Sequence, residues 1–246
     1  MGTPWWLGPA LAFDLESTGV NVAQDRIVTV ALLHLDGPSV RPERYLLDPG
    51  IEIPESATAI HGISTQHARE HGERPGPALS DAAAKLAQAM RSGTPVTGMN
   101  LSFDLSLLHF ECIRHGIPTL SDRLGGAVRP VVDVLILDRH VDKYRPGSRT
   151  LAALCTQYEV KHHGAHDSAY DALAAAQIAA VIAERFPRVG SLLLDELHDA
   201  QVAWAHEQRT DLQAHFDRKR REGEARKVVE LGWPLYDQCA DVAVSP

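Results

Sequence analysis

Asp14 and Glu16 stand two residues apart in Leu11-Ala12-Phe13-Asp14-Leu15-Glu16, a segment with the apolar flanks of a strand. On a strand, residues i and i+2 share a face, so both carboxylates project together near its end. Two anions held that close repel each other, and burial raises their pKa values unless a cation sits between them. Oxygen-only ligation makes Mg²⁺ or Mn²⁺ the natural cation. Ser17-Thr18-Gly19 follows directly. That turn can hold a hydroxyl or a phosphate, or it can be a plain hairpin.

Asn100-Leu101-Ser102-Phe103-Asp104 supplies a third acid, after a short strand and near the start of a helix, where an anion is favoured. A helix-capping Asp is the rival reading there. His166-Asp167-Ser168-Ala169-Tyr170-Asp171 supplies the rest. Asp171 lies inside an alanine-rich helix, an unusual setting for a carboxylate with nothing to pair with. His166, five residues earlier, is suited to take a proton from water at neutral pH.

These groups need elements to hold them. Leu11–Glu16, Arg26–His34 and Arg44–Leu47 read as strands joined by short turns, which suits antiparallel pairing. Helix and strand then alternate: helix Ala82–Met90 capped by Ser80 or Asp81, strand Thr94–Met99, helix Asp104–His115, a β-rich run Pro130–Leu137, and helices Thr150–Tyr158 and Ser168–Glu184. Three strands followed by that alternation imply a mixed sheet with helices on both faces. Leu192–Phe216 reads as one long or broken helix, so residues 1–186 form the main domain and 187–246 a C-terminal helical extension.

Phe13-Asp14-Leu15-Glu16-Ser17-Thr18-Gly19, Asn100-Leu101-Ser102-Phe103-Asp104 and His166-x4-Asp171 occur in that order. Together they resemble the DEDDh family of 3′–5′ exonucleases, which includes the proofreading epsilon subunit of bacterial DNA polymerase III. The resemblance covers about residues 9–185. Ser17 stands where the family more often has Thr. In the sister group with a catalytic Tyr, that Tyr precedes the last Asp by four residues. Asp167 holds that position here, so the His variant is the match.

The resemblance implies a ribonuclease-H-like five-stranded mixed sheet flanked by helices. It implies two metal ions, Mg²⁺ or Mn²⁺, held by Asp14, Glu16, Asp104 and Asp171, with His166 as general base. The ions, about 3.5–4 Å apart, would promote in-line displacement and release a nucleoside 5′-monophosphate. Ile60-His61-Gly62-Ile63-Ser64 resembles a segment that faces the terminal nucleotide in the epsilon-like branch. His61, Phe103 and Thr18 are therefore candidate substrate-binding residues, with a short-helix cap and a core position as the plainer readings of His61 and Phe103. DNA is favoured over RNA, a DNA polymerase or repair partner is compatible, and an oligoribonuclease-like or ribonuclease-T-like enzyme is the alternative. A non-catalytic polymerase-binding or nucleic-acid-binding module fits a complete acid set poorly.

The 246 residues carry a net charge of −8, which argues against coating long nucleic acid by bulk charge but not against one local site. No apolar run approaches the roughly 20 residues of a membrane helix, and Met1–Trp6 has no secretory or myristoylation pattern. Cys112, Cys155 and Cys239 read as reduced thiols of a cytoplasmic protein. Asp133 reads as structural and Asp167 as a helix cap. His67-x3-His71 and His162-His163 lack the partners of a zinc site. Arg218–Lys227, with six basic and two acidic residues, reads as a solvated helix face before it reads as a nucleic-acid or partner contact. Trp5, Trp6, Trp204 and Trp233 either pin the terminal segments or face a partner.

Overall fold

The computed structural model describes residues 3–162, 167–222 and 224–239. Strands β1 (Ala10–Ser17), β2 (Ile27–Asp36), β3 (Ser39–Leu46), β4 (Val96–Gly98) and β5 (Val131–Asp133) form a five-stranded sheet in the order β3-β2-β1-β4-β5. The pairs β1–β2 and β2–β3 are antiparallel, and β1–β4 and β4–β5 are parallel. This is the ribonuclease-H-like mixed sheet that the resemblance implied. A two-residue turn joins β2 to β3, with Gly37 at φ 54° supplying the conformation that Pro38 cannot.

The two faces of β1 have different partners, and the sequence alternation decides which. Leu11, Phe13 and Leu15 point into the larger core with α3 (Pro75–Arg91) and α4 (Leu101–Arg114). Ala12, and Ala31 of β2, meet Ala169 and Ala172 of the alanine-rich helix α8 (Ser168–Arg185). Small side chains on both sides let that helix lie close to the sheet. Asp14 and Glu16 continue the row of Ala12, so they face α8.

Several boundaries differ from the sequence expectation, each for a local reason. Helix α3 starts at Pro75, not at a Ser80 or Asp81 cap, because proline is tolerated where the first helical N–H groups have no partner. Helices α1 (Glu55–His61), α2 (Thr65–His71) and α5 (Leu120–Leu124) are too short to show a periodicity. Only Val131–Asp133 of the β-rich run is strand. The Asp133 side chain accepts from Leu135 N–H and starts α6 (Val134–Val141). Helix α7 (Leu151–Tyr158) is capped by Thr150, and α9 (Pro187–Gly190) follows α8.

Helix α10 (Leu194–Lys219) lies along β5 and α6. Gln201 Oε1 accepts from Asp133 N–H at 2.8 Å, its Nε2 donates to Val131 C=O at 2.9 Å, and His198 Nδ1 accepts from Val131 N–H at 3.2 Å. Side chains of α10 thus occupy the ladder positions that a sixth strand would fill. Beyond α10 the chain returns, buries Trp233, and receives a Ser106 hydroxyl contact at Tyr236 N–H.

Candidate active site

The three acids that face one another come from two elements. Asp14 and Glu16 project from the end of β1, and Asp171 projects from the first turn of α8. One carboxylate oxygen from each lies within 4.8 Å of the others. Asp104, buried in the first turn of α4, sits behind them, and its Oδ1 accepts from Leu15 N–H at 3.3 Å. The β4–α4 junction makes this possible. Asn100 adopts a left-handed φ of 60°, and both Asn100 N–H and Leu101 N–H donate to Asp133.

Burial, and like charge after it, disfavours ionised carboxylates at this cluster. Burial, then Asp104, Glu16, Asp171 and Asp167, hold the Asp14 carboxyl well above the usual carboxylate range. Burial likewise raises Asp104 strongly, against the pull of backbone N–H donors. Glu16 is pushed up to about 7 by burial and then by Asp171 and Asp167. Acids gathered at a cost to one another, with oxygen donors only, are the donor set of a hard divalent cation. The residues fit that group.

The remaining expected residues are placed as follows. His166 lies outside the described residues. His61 ends α1 and lines a cleft of about 300 Å³ with Glu16, Arg44, Ile63, His67 and Asp167. Its Nδ1 accepts from Ile63 N–H across Gly62, whose φ of 78° closes the helix, and Ser64 caps α2. Thr18 stands beside the acids, but its hydroxyl is used within the β1–β2 turn, donating to Asp25 at 3.0 Å and accepting from Arg26 N–H. Phe103 is half-buried and packs on the larger core.

Asp133 stays out of the carboxylate cluster and serves four N–H donors, from Asn100, Leu101, Leu135 and Trp233. Asp167 caps α8 by accepting from Ala169 N–H and also meets Arg44 at 3.3 Å. His162, weighed in the sequence only as part of a zinc pair, enters the site: its Nε2 lies 2.6 Å from Asp171 Oδ1. Asp171 lies nine positions after His162, a spacing with no helical or strand meaning, so the contact shows only in the folded protein.

A profile of the exonuclease family RNase_T matches residues 11–179. The PolC-type DNA polymerase III of Lacticaseibacillus paracasei is 25% identical over 191 residues, covering 77% of this chain and 12% of that protein. The PolC-type polymerase of Lactococcus lactis is 26% identical over 201 residues, covering 78% of this chain and 11% of that protein. The chain therefore spans about an eighth of the length of these relatives. Among solved structures, Escherichia coli exonuclease I in complex with a dT13 oligonucleotide superposes with a TM-score of 0.63 at 24% identity, covering 74% of this chain and 42% of that one. The zinc-bound form of the E. coli exonuclease I–single-stranded DNA complex gives a TM-score of 0.64 at 24% identity, covering 84% and 45%. These superpositions establish the shared fold.

Proposed function

The chain belongs to the exonuclease family RNase_T, and from that membership we propose that it hydrolyses DNA from the 3′ end, at single strands or frayed ends, releasing nucleoside 5′-monophosphates in proofreading or repair. The observation that carries this reading is the convergence of Asp14, Glu16 and Asp171 within 4.8 Å, with buried Asp104 behind them. We assign these four carboxylates to two Mg²⁺ or Mn²⁺ ions. When bound, such ions lower the pKa of water and stabilise a leaving oxygen.

The chain's own residues do the rest. His166 takes the proton from the attacking water as its oxygen bonds to phosphorus. The bond from phosphorus to the 3′-oxygen then breaks, and that oxygen is protonated from solvent. His162, hydrogen-bonded to Asp171, fixes the orientation of that carboxylate. The cleft beside Glu16, with His61 on its wall, receives the 3′-terminal nucleotide. Thr18 contributes by shaping the turn beside the acids, and Phe103 by supporting the helix that carries Asp104. Residues 1–186 hold this machinery, and 187–246 extend it.

The DNA assignment draws on the PolC-type relatives and on the oligonucleotide complexes of exonuclease I. A replicative or repair polymerase is the partner class, and the cytoplasm, where the three buried cysteines stay reduced, is the compartment. The test uses 5′-labelled single-stranded DNA and RNA of one sequence with Mg²⁺, Mn²⁺, Zn²⁺ or EDTA. Laddering from the 3′ end of DNA, abolished by EDTA, is the expected result. Preferential laddering of RNA would move the assignment to an exoribonuclease. Intact substrate with every metal would overturn the enzyme reading.

A further inference from the structure

The cleft that contains His61 lies on the β2 and β3 side of the acids. A second recess, a groove of about 640 Å³, opens on the opposite side, toward β4, β5 and α6. It starts at Val20, in the turn after Glu16, and at Asn100, immediately before the helix that carries Asp104. Arg139 of α6 and Arg209 of α10 line it, and residues 228–230 of the returning C-terminal segment form the far wall. Glu16 thus lines the first opening, and chain neighbours of Glu16 and Asp104 line the second.

Arg139 is the informative group in that groove. It is half-buried and makes no hydrogen bond or ion pair with any described residue. The acids in its field are already engaged. Asp133 accepts from four N–H donors, and Asp138 is held by Arg145 and Arg149. Arg149 and Arg209 add like charge nearby. Asp133 and Asp138 favour the Arg139 charge only from beyond ion-pair distance, so the desolvated guanidinium keeps N–H donors that a phosphate would pair directly. Glu230, on the far wall, accepts from Gln238 at 3.3 Å, and its charge directs an anion toward the Arg139 side. Just before this wall in the chain, Arg218, Lys219, Arg220 and Arg221 make no ion pair with any described residue.

We propose that this groove carries the phosphodiester backbone upstream of the scissile bond, with Arg139 pairing one phosphate and Arg218–Arg221 meeting phosphates farther out. The inference rests on the exonuclease reading above and adds a length preference to it. A strand of several nucleotides is gripped through the groove, whereas a mononucleotide ester reaches only the acids and the cleft of His61.

The test pairs binding with two kinds of hydrolysis. Anisotropy of 5′-fluorescein dT12 and dT4, with Ca²⁺ in place of Mg²⁺, reads affinity and its salt dependence. Hydrolysis of dT12 and of thymidine 5′-(p-nitrophenyl phosphate) reads turnover. Arg139→Gln should weaken dT12 binding about tenfold and flatten the slope of log K against log salt by about 0.7. It should change kcat/KM for the nitrophenyl ester less than about twofold, since that substrate ends before the groove. Unchanged dT12 affinity, or an equal loss on the ester, would overturn the proposal.

The exposed double variant Arg220→Ser, Arg221→Ser keeps the test decisive if Arg139→Gln does not fold. Weaker dT12 binding with unchanged dT4 binding supports the path, and unchanged dT12 binding refutes it. If wild type hydrolyses neither substrate yet Arg139→Gln weakens dT12, the exonuclease reading falls and the groove stands.

Discussion

At the scale of single residues, the site is a set of carboxylates whose ionisation burial and like charge both disfavour, the cost that the proposed cation would offset. Asp14→Asn should reduce hydrolysis at least ~10³-fold, since it neutralises a carboxylate proposed to hold the metal ions. In EDTA the same variant should melt above wild type, since a carboxyl held well above its usual range by burial and like charges no longer has to ionise. An unchanged or lower melting temperature would contradict the repulsion argument. Saturating Mg²⁺ should stabilise wild type, by about 2.7 kcal/mol at a hundredfold excess over Kd, and EDTA should reverse it. Thermal scans of wild type and Asp14→Asn with and without Mg²⁺ check both. The acids were legible in the sequence because strand alternation and the start of a helix dictate where side chains point. The His162–Asp171 contact and the internal use of the Thr18 hydroxyl were not legible, because both are contacts that no sequence periodicity dictates.

Among the elements, the junctions carry more weight than the periodic stretches. Asp133 ends β5, starts α6, and receives the N–H groups that open α4, so one carboxylate ties three elements and Trp233. Asp133→Ala should lower stability by about 3 kcal/mol, because several of its donors would be left without acceptors. Urea denaturation measures this, and a loss under about 1 kcal/mol would mean that water replaces the carboxylate. The long strands β1 and β2 and helices α8 and α10 could be read from the sequence, since the alternation of β1, the β-branched run of β2 and the unbroken stretches of helix-favouring residues in both helices persist over many positions. Pro75, which opens α3 well before the expected cap, and Val134–Leu137, which turn helical after a strand-like start, could not. The first is decided by a proline that fits where N–H groups have no partner, and the second by the Asp133 cap, neither of which composition encodes.

Over the whole molecule, proton uptake links the core to pH. Burial lowers the pKa of His109, His115, His140 and His198 in the folded protein. The unfolded chain binds those protons near pH 6.5 and the folded chain resists them, so their contribution is complete above about 6.5 and is lost as pH falls below it. With saturating Mg²⁺, which keeps the acid cluster compensated, melting temperature should fall between pH 7 and pH 5. A flat profile would mean that these imidazoles titrate alike in both states. Deleting residues 187–246 removes Gln201, His198 and Trp233 from β5 and Asp133. The truncated chain should therefore show a broadened, low-temperature melt or self-association by sedimentation, and a sharp monomeric melt near that of the full chain would show the extension to be dispensable for folding. Within the net charge of −8, acids concentrate at the end of β1, while Arg139 and Arg209 line the groove beside it.

The groups on α10 that complete β5 come late in the chain, with 67 residues separating Val131 from His198 and 68 separating Asp133 from Gln201. On the ribosome, the sheet can therefore assemble through β5 while the segment that seals its last edge is still unmade. For the time of that synthesis, the nascent protein presents bare N–H and C=O groups that another emerging chain could pair with. The speed of translation between Asp133 and Gln201 thus sets how long the newborn protein is open to mispairing.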